Sequence, residues 1–130
     1  MRMKGTRGLG QDWEDAAARI LRRAGYRILE RNYRTKVGEI DFIAEEGEIL
    51  CFIEVKGRSA LGFGFPEEAV NLEKQRRILR AAEWFLLGRK GETACRFDVV
   101  SIVGSGRGAR HWIFRGAFEG PPAPRRRGAW

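Results

Sequence analysis

Hydrophobic and polar positions switch between a helical and a strand period along the chain, and the switches mark its elements. In QDWEDAAARILRRAG, Trp13, Ala17, Ile20, Leu21 and Ala24 recur on one side of a helix, with Arg19, Arg22 and Arg23 mostly opposite, before Gly25 stops the run. YRILERNYR reads as a short strand, and residues 38–58, GEIDFIAEEGEILCFIEVKGR, read as one β-hairpin turning at EEGE. GRSALGFGF holds three glycines, as loops do. Pro66 suits the first turn of a second helix, with Glu67 and Glu68 at its positive end, and that helix runs to about Leu87. ACRFDVVSIVG and RHWIFRGAF are two further strands, joined by GSGRG. The predicted order is α-β-β-β-α-β-β. A hairpin excludes a strictly parallel sheet, so the expected fold is α/β, a mixed β-sheet flanked by helices.

The hairpin carries an anomaly. Residues 49–55, ILCFIEV, are apolar on both faces apart from Glu54, the look of a central strand. A two-residue turn at Glu46-Gly47 would pair Glu45 with Glu48 and set Asp41 opposite Phe52. Side chains alternate, so Asp41, Glu54 and Lys56 then share one face, with Asp41 and Glu54 as diagonal neighbours roughly 7 Å apart. A lone ionised carboxylate in such a place is costly and needs a partner or a metal. Two readings stay open at this point: a salt bridge to Lys56, or two carboxylates sharing a cation beside an ammonium.

Each helix places polar residues toward the sheet. Glu14 projects onto the edge of the first helix's inward stripe, while Asp12 and Asp15 lie outside. It suits a site on the sheet and equally suits a helix-start carboxylate. On the second helix Ile78, Leu79, Ala82, Phe85 and Leu86 define the buried side, which Asn71 and Gln75 share, with Lys74 at its margin. Those amides can orient a water or a phosphate, or simply satisfy backbone groups. Arg76, Arg77 and Arg80 gather opposite with Glu73, Glu83 and Trp84, either to follow a phosphate backbone or as a solvated face of intrahelical pairs. Arg58 and Lys74 complete the candidate nucleic-acid contacts.

Composition changes this picture little. The 130 residues fit one domain, expected over residues 10–118, between a flexible basic lead at 1–9 and a disordered Pro/Arg-rich tail at 119–130. The net charge of +8 lies largely in those two ends and favours polyanionic partners. No apolar run reaches the roughly 18 residues of a membrane span, and the basic start lacks the apolar core of a secretory signal. A cytoplasmic protein without a membrane partner is expected. Cys51 and Cys95 read as core residues of two strands, with no metal-binding spacing. His111 stands alone, with no nucleophile motif around it.

Glu14, GEID ending in Asp41, and Glu54-Val55-Lys56 together resemble the signature of the PD-(D/E)XK nuclease superfamily, with Ile40 where a proline is usual. Over roughly residues 8–118, through GYRILERNYR, GEIDFIA, FIEVKGRS, EEAVNLEKQRRI and CRFDVVSI, the chain is similar to the bacterial YraN family and, through it, to archaeal Holliday-junction resolvases. Trp13 stands where that family is expected to carry glycine. The resemblance implies a restriction-endonuclease-like core with a four-stranded mixed sheet, Mg²⁺ (or Mn²⁺) at the hairpin mouth, and hydrolysis of phosphodiester bonds, DNA being the expected nucleic acid. Asp41 and Glu54 would hold the ion, with the Val55 carbonyl as a further ligand. Lys56, Glu14 and Gln75 would assist catalysis. It also implies a homodimer, for which Trp84 and Trp112 are the candidate aromatic contacts. The alternatives are a non-catalytic nucleic-acid-binding module on the same fold, and a protein-interaction domain with a structural ion cluster.

Overall fold

The computed structural model describes residues 6–59, 71–89, 91 and 93–119, with side chains from residue 12 onward. Its elements are α1 (Thr6–Arg23), β1 (Arg27–Arg34), β2 (Glu39–Glu46), β3 (Ile49–Arg58), α2 (Leu72–Leu87), β4 (Cys95–Val103) and β5 (Arg110–Phe114). The five strands form one sheet in chain order. Among them only β3 and β4 pair in parallel, because α2 intervenes and carries the chain back to the same end. The element order is the one the residue pattern predicts. The four-stranded sheet implied by the resemblance is extended by β5, which pairs along β4 from Val103↔Arg110 to Val99↔Phe114. Among the described residues no helix is long and apolar enough to cross a membrane.

Several boundaries differ from expectation. The helix of α1 reaches back to Thr6 instead of giving way to a flexible lead up to Leu9. Its glycines cost about 1 kcal/mol each, which a helix anchored by a buried stripe absorbs. Residues 1–5 and 120–130 lie outside the described residues, and so does the expected helix start at Pro66. The α2 helix begins at Leu72, where Asn71 is its cap: in extended backbone, it accepts a 2.8 Å hydrogen bond from the Lys74 N–H through Oδ1. Asn71 is therefore an exposed cap and not an inward amide. The last strand stops at Phe114, short of Phe118, because the chain turns at Arg115-Gly116 and the Gly116 N–H donates to Asp98. Cys95, expected in the core, is exposed, and both cysteines are free.

Each face of the sheet buries its own core. Ala17, Ala18, Leu21 and Tyr26 pack with Phe42, Ala44, Cys51, Ile53, Val100 and Ile102 on the α1 side. Ile78, Ala81 and Ala82 pack with Ile40, Ile43, Leu50 and Phe52 on the α2 side. Each fully buried large side chain contributes about 1.5–3 kcal/mol. Two close approaches fix how the layers sit. A Cβ on Gly57 would lie 2.1 Å from the Trp13 ring, so the bare backbone of β3 receives the indole, whose Nε1 donates to the Gly104 carbonyl at 3.0 Å. A Cβ on Gly38 would lie 2.0 Å from the Arg77 carbonyl oxygen, so the β1–β2 connection presses on α2. Toward the start of β4, fully buried Asp98 accepts hydrogen bonds from the Tyr26 hydroxyl (2.7 Å), Arg96 (2.8 Å) and Gly116 (2.9 Å). Arg96 also reaches Glu46, which Arg115 grips from the other side; these guanidinium bonds outweigh burial and hold the Glu46 carboxyl down at about 2.

Candidate active site

The site begins with the turn of the hairpin. Glu46 pairs with Ile49 across a two-residue turn, Gly47-Glu48, with Gly47 at φ 62° in its first central position. A two-residue hairpin turn needs positive φ there, which favours glycine. The turn is therefore one residue later than Glu46-Gly47, and the register shifts by two. Asp41 falls opposite Glu54 when the ladder is continued, and not opposite Phe52. A shift of two keeps the paired residues, Phe42 to Glu46, on their expected faces.

The ladder itself ends at Phe42↔Ile53, while β3 continues beside β4 as far as Arg58↔Val103. Strands β2 and β3 part there. The Val55 N–H bonds Asp41 Oδ2 at 2.7 Å, a side chain standing in for the lost carbonyl partner. Alternation breaks at the same point: Phe42 packs on the α1 side and Ile40 on the α2 side, only two residues apart. The β1 register between Arg31↔Phe42 and Tyr33↔Ile40 puts Asn32 opposite Asp41, and Asn32 has φ 53°. Asparagine tolerates that conformation better than most residues.

In this opening Asp41 and Glu54 lie close enough for each carboxyl to bear on the other's ionisation. Glu54 is 5% exposed, and Lys74 Nζ lies 2.7 Å from its Oε2. Burial and then the Asp41 charge raise the Glu54 pKa to about 8, against the pull of Lys74. Burial raises Asp41 as well, opposed first by the Val55 N–H. Burial disfavours the Lys74 ammonium, but the bond and charge of Glu54 outweigh it and raise its pKa. One proton and one ammonium thus balance two carboxylates, of which Glu54 is buried. A cation can replace that proton.

The structure gathers some of the expected residues and not others. Asp41, Glu54 and the Val55 backbone meet. Lys56 does not join them: it is exposed and forms no ion pair with a described residue. The ammonium at the acid pair is that of Lys74, assigned from sequence only to phosphate contact. The signal was its place on the inward margin of α2, three residues after the cap Asn71. Glu14 is held by Arg31 (2.9 Å) and Asn32 (3.0 Å), near enough for its charge to raise Asp41. Gln75 is half-buried next to Lys74, and Arg58 ends β3, where its carbonyl accepts from the Gly104 N–H. Arg76, Arg77 and Arg80 are exposed on the outer side of α2. Arg31 and Asn32 are the residues that sequence reasoning missed, since nothing in a β-strand pattern marks a left-handed position. Among the described residues no three His, Cys, Asp or Glu side chains lie close enough to form a metal cluster. Two hard oxygen donors remain, and Mg²⁺ is commonly held by one or two carboxylates with water completing its shell, so the acid pair fits such an ion.

Comparison with known proteins places this sequence in a family. The UPF0102 protein of Syntrophotalea carbinolica is 47% identical over 112 residues, 85% of this chain and 91% of that one. The corresponding protein of Anaeromyxobacter is 41% identical over 125 residues, 95% of this chain and 92% of its own. That of Rhodococcus opacus is 51% identical over 96 residues, 73% of this chain and 81% of its own. Residues 13–102, which include Glu14, Asp41, Glu54 and Lys74, match the family described as "Uncharacterised protein family UPF0102", and the chain belongs to that family.

Proposed function

We propose that this protein is a divalent-metal-dependent nuclease that hydrolyses phosphodiester bonds in DNA, branched DNA of the Holliday-junction kind included. The observation that carries the reading is the pair of acids where β2 and β3 part, Asp41 held by the Val55 N–H and buried Glu54 held by Lys74. Buried groups with raised pKa values at an opening between strands are an arrangement that chemistry uses more than stability does. Asp41 and Glu54 would hold the ion, with the Val55 carbonyl as a further ligand. When bound, Mg²⁺ or Mn²⁺ supplies a Lewis acid for a phosphate oxygen and for the attacking water. The chain's own residues do the rest. The Val55 N–H fixes the Asp41 carboxyl, and Arg31 with Asn32 orients Glu14 toward the same opening. Lys74, released from Glu54, carries a positive charge at the place where charge develops on the phosphate. Lys56, one position beyond Val55 and exposed, would approach the substrate from the strand. Gln75, beside Lys74, would orient a phosphate oxygen.

The test is incubation of the purified chain with branched and linear DNA in Mn²⁺, with Asp41→Asn and Glu54→Gln alongside. Cleavage by the parent chain and its loss in both variants is expected. Equal cleavage by all three would remove the assignment. A second reading, a non-catalytic binding module on this fold, is favoured by the Lys74–Glu54 ion pair, which answers the acids without a metal. No heat of Mn²⁺ binding in a titration of the parent chain would select it.

A further inference from the structure

Arg76, Arg77 and Arg80 form no ion pair with any described residue, although Glu73 shares their side of α2. Elsewhere Arg31, Arg96 and Arg115 are each tied to a carboxylate. Facing the three arginines is the β1–β2 connection, seated on α2 through Gly38. The two walls enclose a hollow of 460 Å³ that carries Lys36, Arg76, Arg77 and Arg80 against Glu39 and Glu73. Along the same helix a second hollow, of 550 Å³, is formed by Tyr33, Trp84, Phe85, Leu87 and Arg89. Its rim includes the Trp84 indole, 57% exposed. At about 100° per residue, positions 76, 77, 80, 84 and 87 share one side of a helix, so the cationic and aromatic hollows lie one after the other along that side of α2.

We propose that this side of α2 binds a single-stranded stretch of nucleic acid, with its phosphates on Lys36, Arg76, Arg77 and Arg80 and a base stacked on Trp84. Cationic grooves interleaved with exposed aromatics suit unpaired strands, because every unpaired base offers a face and every nucleotide a charge. A paired base offers Trp84 no face, so a duplex would use the arginines alone. Glu39 lines the first hollow two residues before Asp41, so a strand lying there passes beside the acid pair. The inference deepens the nuclease reading by naming the form of the substrate next to the bond cut. It is tested without a cation, so either can fail while the other stands.

The experiment is fluorescence anisotropy of a labelled oligothymidylate and of its duplex with oligoadenylate, titrated with the full chain in EDTA over a salt series. The single strand is expected to bind more tightly than the duplex. Arg77→Glu and Arg80→Glu should each weaken it more than about tenfold, and Arg77→Ala should reduce the salt slope by about 0.7. Trp84→Ala should weaken binding about fivefold or more with the salt slope unchanged, while Trp84→Phe retains most of the affinity. Arg22→Glu on α1 serves as the charge control and should bind nearly as the parent does. All these side chains are exposed, and thermal melts verify folding. Variants on this side of α2 that bind like the parent would overturn the proposal. So would a duplex bound as tightly and without loss in Trp84→Ala, or sedimentation showing a dimer that Trp84→Ala dissociates.

Discussion

Lys74 Nζ lies 2.7 Å from Glu54 Oε2, so the ammonium answering the buried acid comes from α2 and not from Lys56 on the same strand. Two residues twenty positions apart in sequence thereby tie the helix to the opening between β2 and β3. The tie has a measurable energy. Lys74→Met leaves a buried acid pair without its counter-charge, but protonation of the pair limits the cost. A loss of about 1–2 kcal/mol is expected, below the range for breaking a fully buried pair, because Lys74 is half-exposed. Glu54→Gln in the same chain should restore most of it. A double-mutant cycle by urea denaturation at neutral pH reads the coupling directly, and additive effects would show that the pair is energetically silent.

The raised pKa of Glu54 sets a pH dependence. Burial and Asp41 lift it from 4.5 to about 8, so the folded chain keeps a proton that the unfolded chain releases. Stability from this proton is complete below the unfolded value and is lost as pH rises through the folded one. In EDTA, unfolding free energy should fall between pH 5 and 8 with a slope of up to about 1 kcal/mol per pH unit, less whatever Lys74 returns. Glu54→Gln has no such proton and should flatten that slope. An unchanged slope in the variant would assign the dependence to other groups.

A divalent ion should replace the same proton. At neutral pH, Mg²⁺ or Mn²⁺ at about a hundred times its dissociation constant is expected to add about 2.7 kcal/mol of stability, visible as a rise in melting temperature. The rise should be larger at pH 8 than at pH 6, because proton and cation compete for one seat. Asp41→Asn should abolish it. A shift of the same size in that variant would place the ion elsewhere on this basic surface.

Most of the fold could be read along the chain because its signals are local. The apolar run ILCFIEV, the helical stripe from Trp13 to Ala24 and the glycines of GSGRG each fix an element without reference to any other. The face shared by Asp41 and Glu54 was legible for the same reason, and a register error of two left it intact. Long-range partnerships were not legible. Lys74 displaced Lys56 as the ammonium at the acids because the choice depends on how α2 lies across the sheet. Arg31 and Asn32 reach Glu14 only because Asn32 takes a left-handed conformation opposite Asp41. Asn71, inward by helical projection, lies outside the helix because its side chain satisfies the Lys74 N–H.

Trp13 and Gly57 offer a test of how the site is held together. Trp13 stands immediately before Glu14, and its ring lies where a Cβ on Gly57 would be, 2.1 Å from the nearest ring atom. Gly57 immediately follows Lys56, so this one contact aligns the helix carrying Glu14 with the strand carrying Glu54. Gly57→Ala forces the indole out of its seat and breaks its bond to the Gly104 carbonyl. The expected cost is about 1–3 kcal/mol, the range for overpacking a filled core. Trp13→Ala also loses stability, by lost burial, but it empties the space that the new methyl needs. The double variant Trp13→Ala/Gly57→Ala should therefore be no less stable than Trp13→Ala alone, as judged by denaturation midpoints. If Gly57→Ala costs as much in the Trp13→Ala background as in the parent, its effect comes from the backbone of β3. The indole would then not be what sets the distance between the two acids.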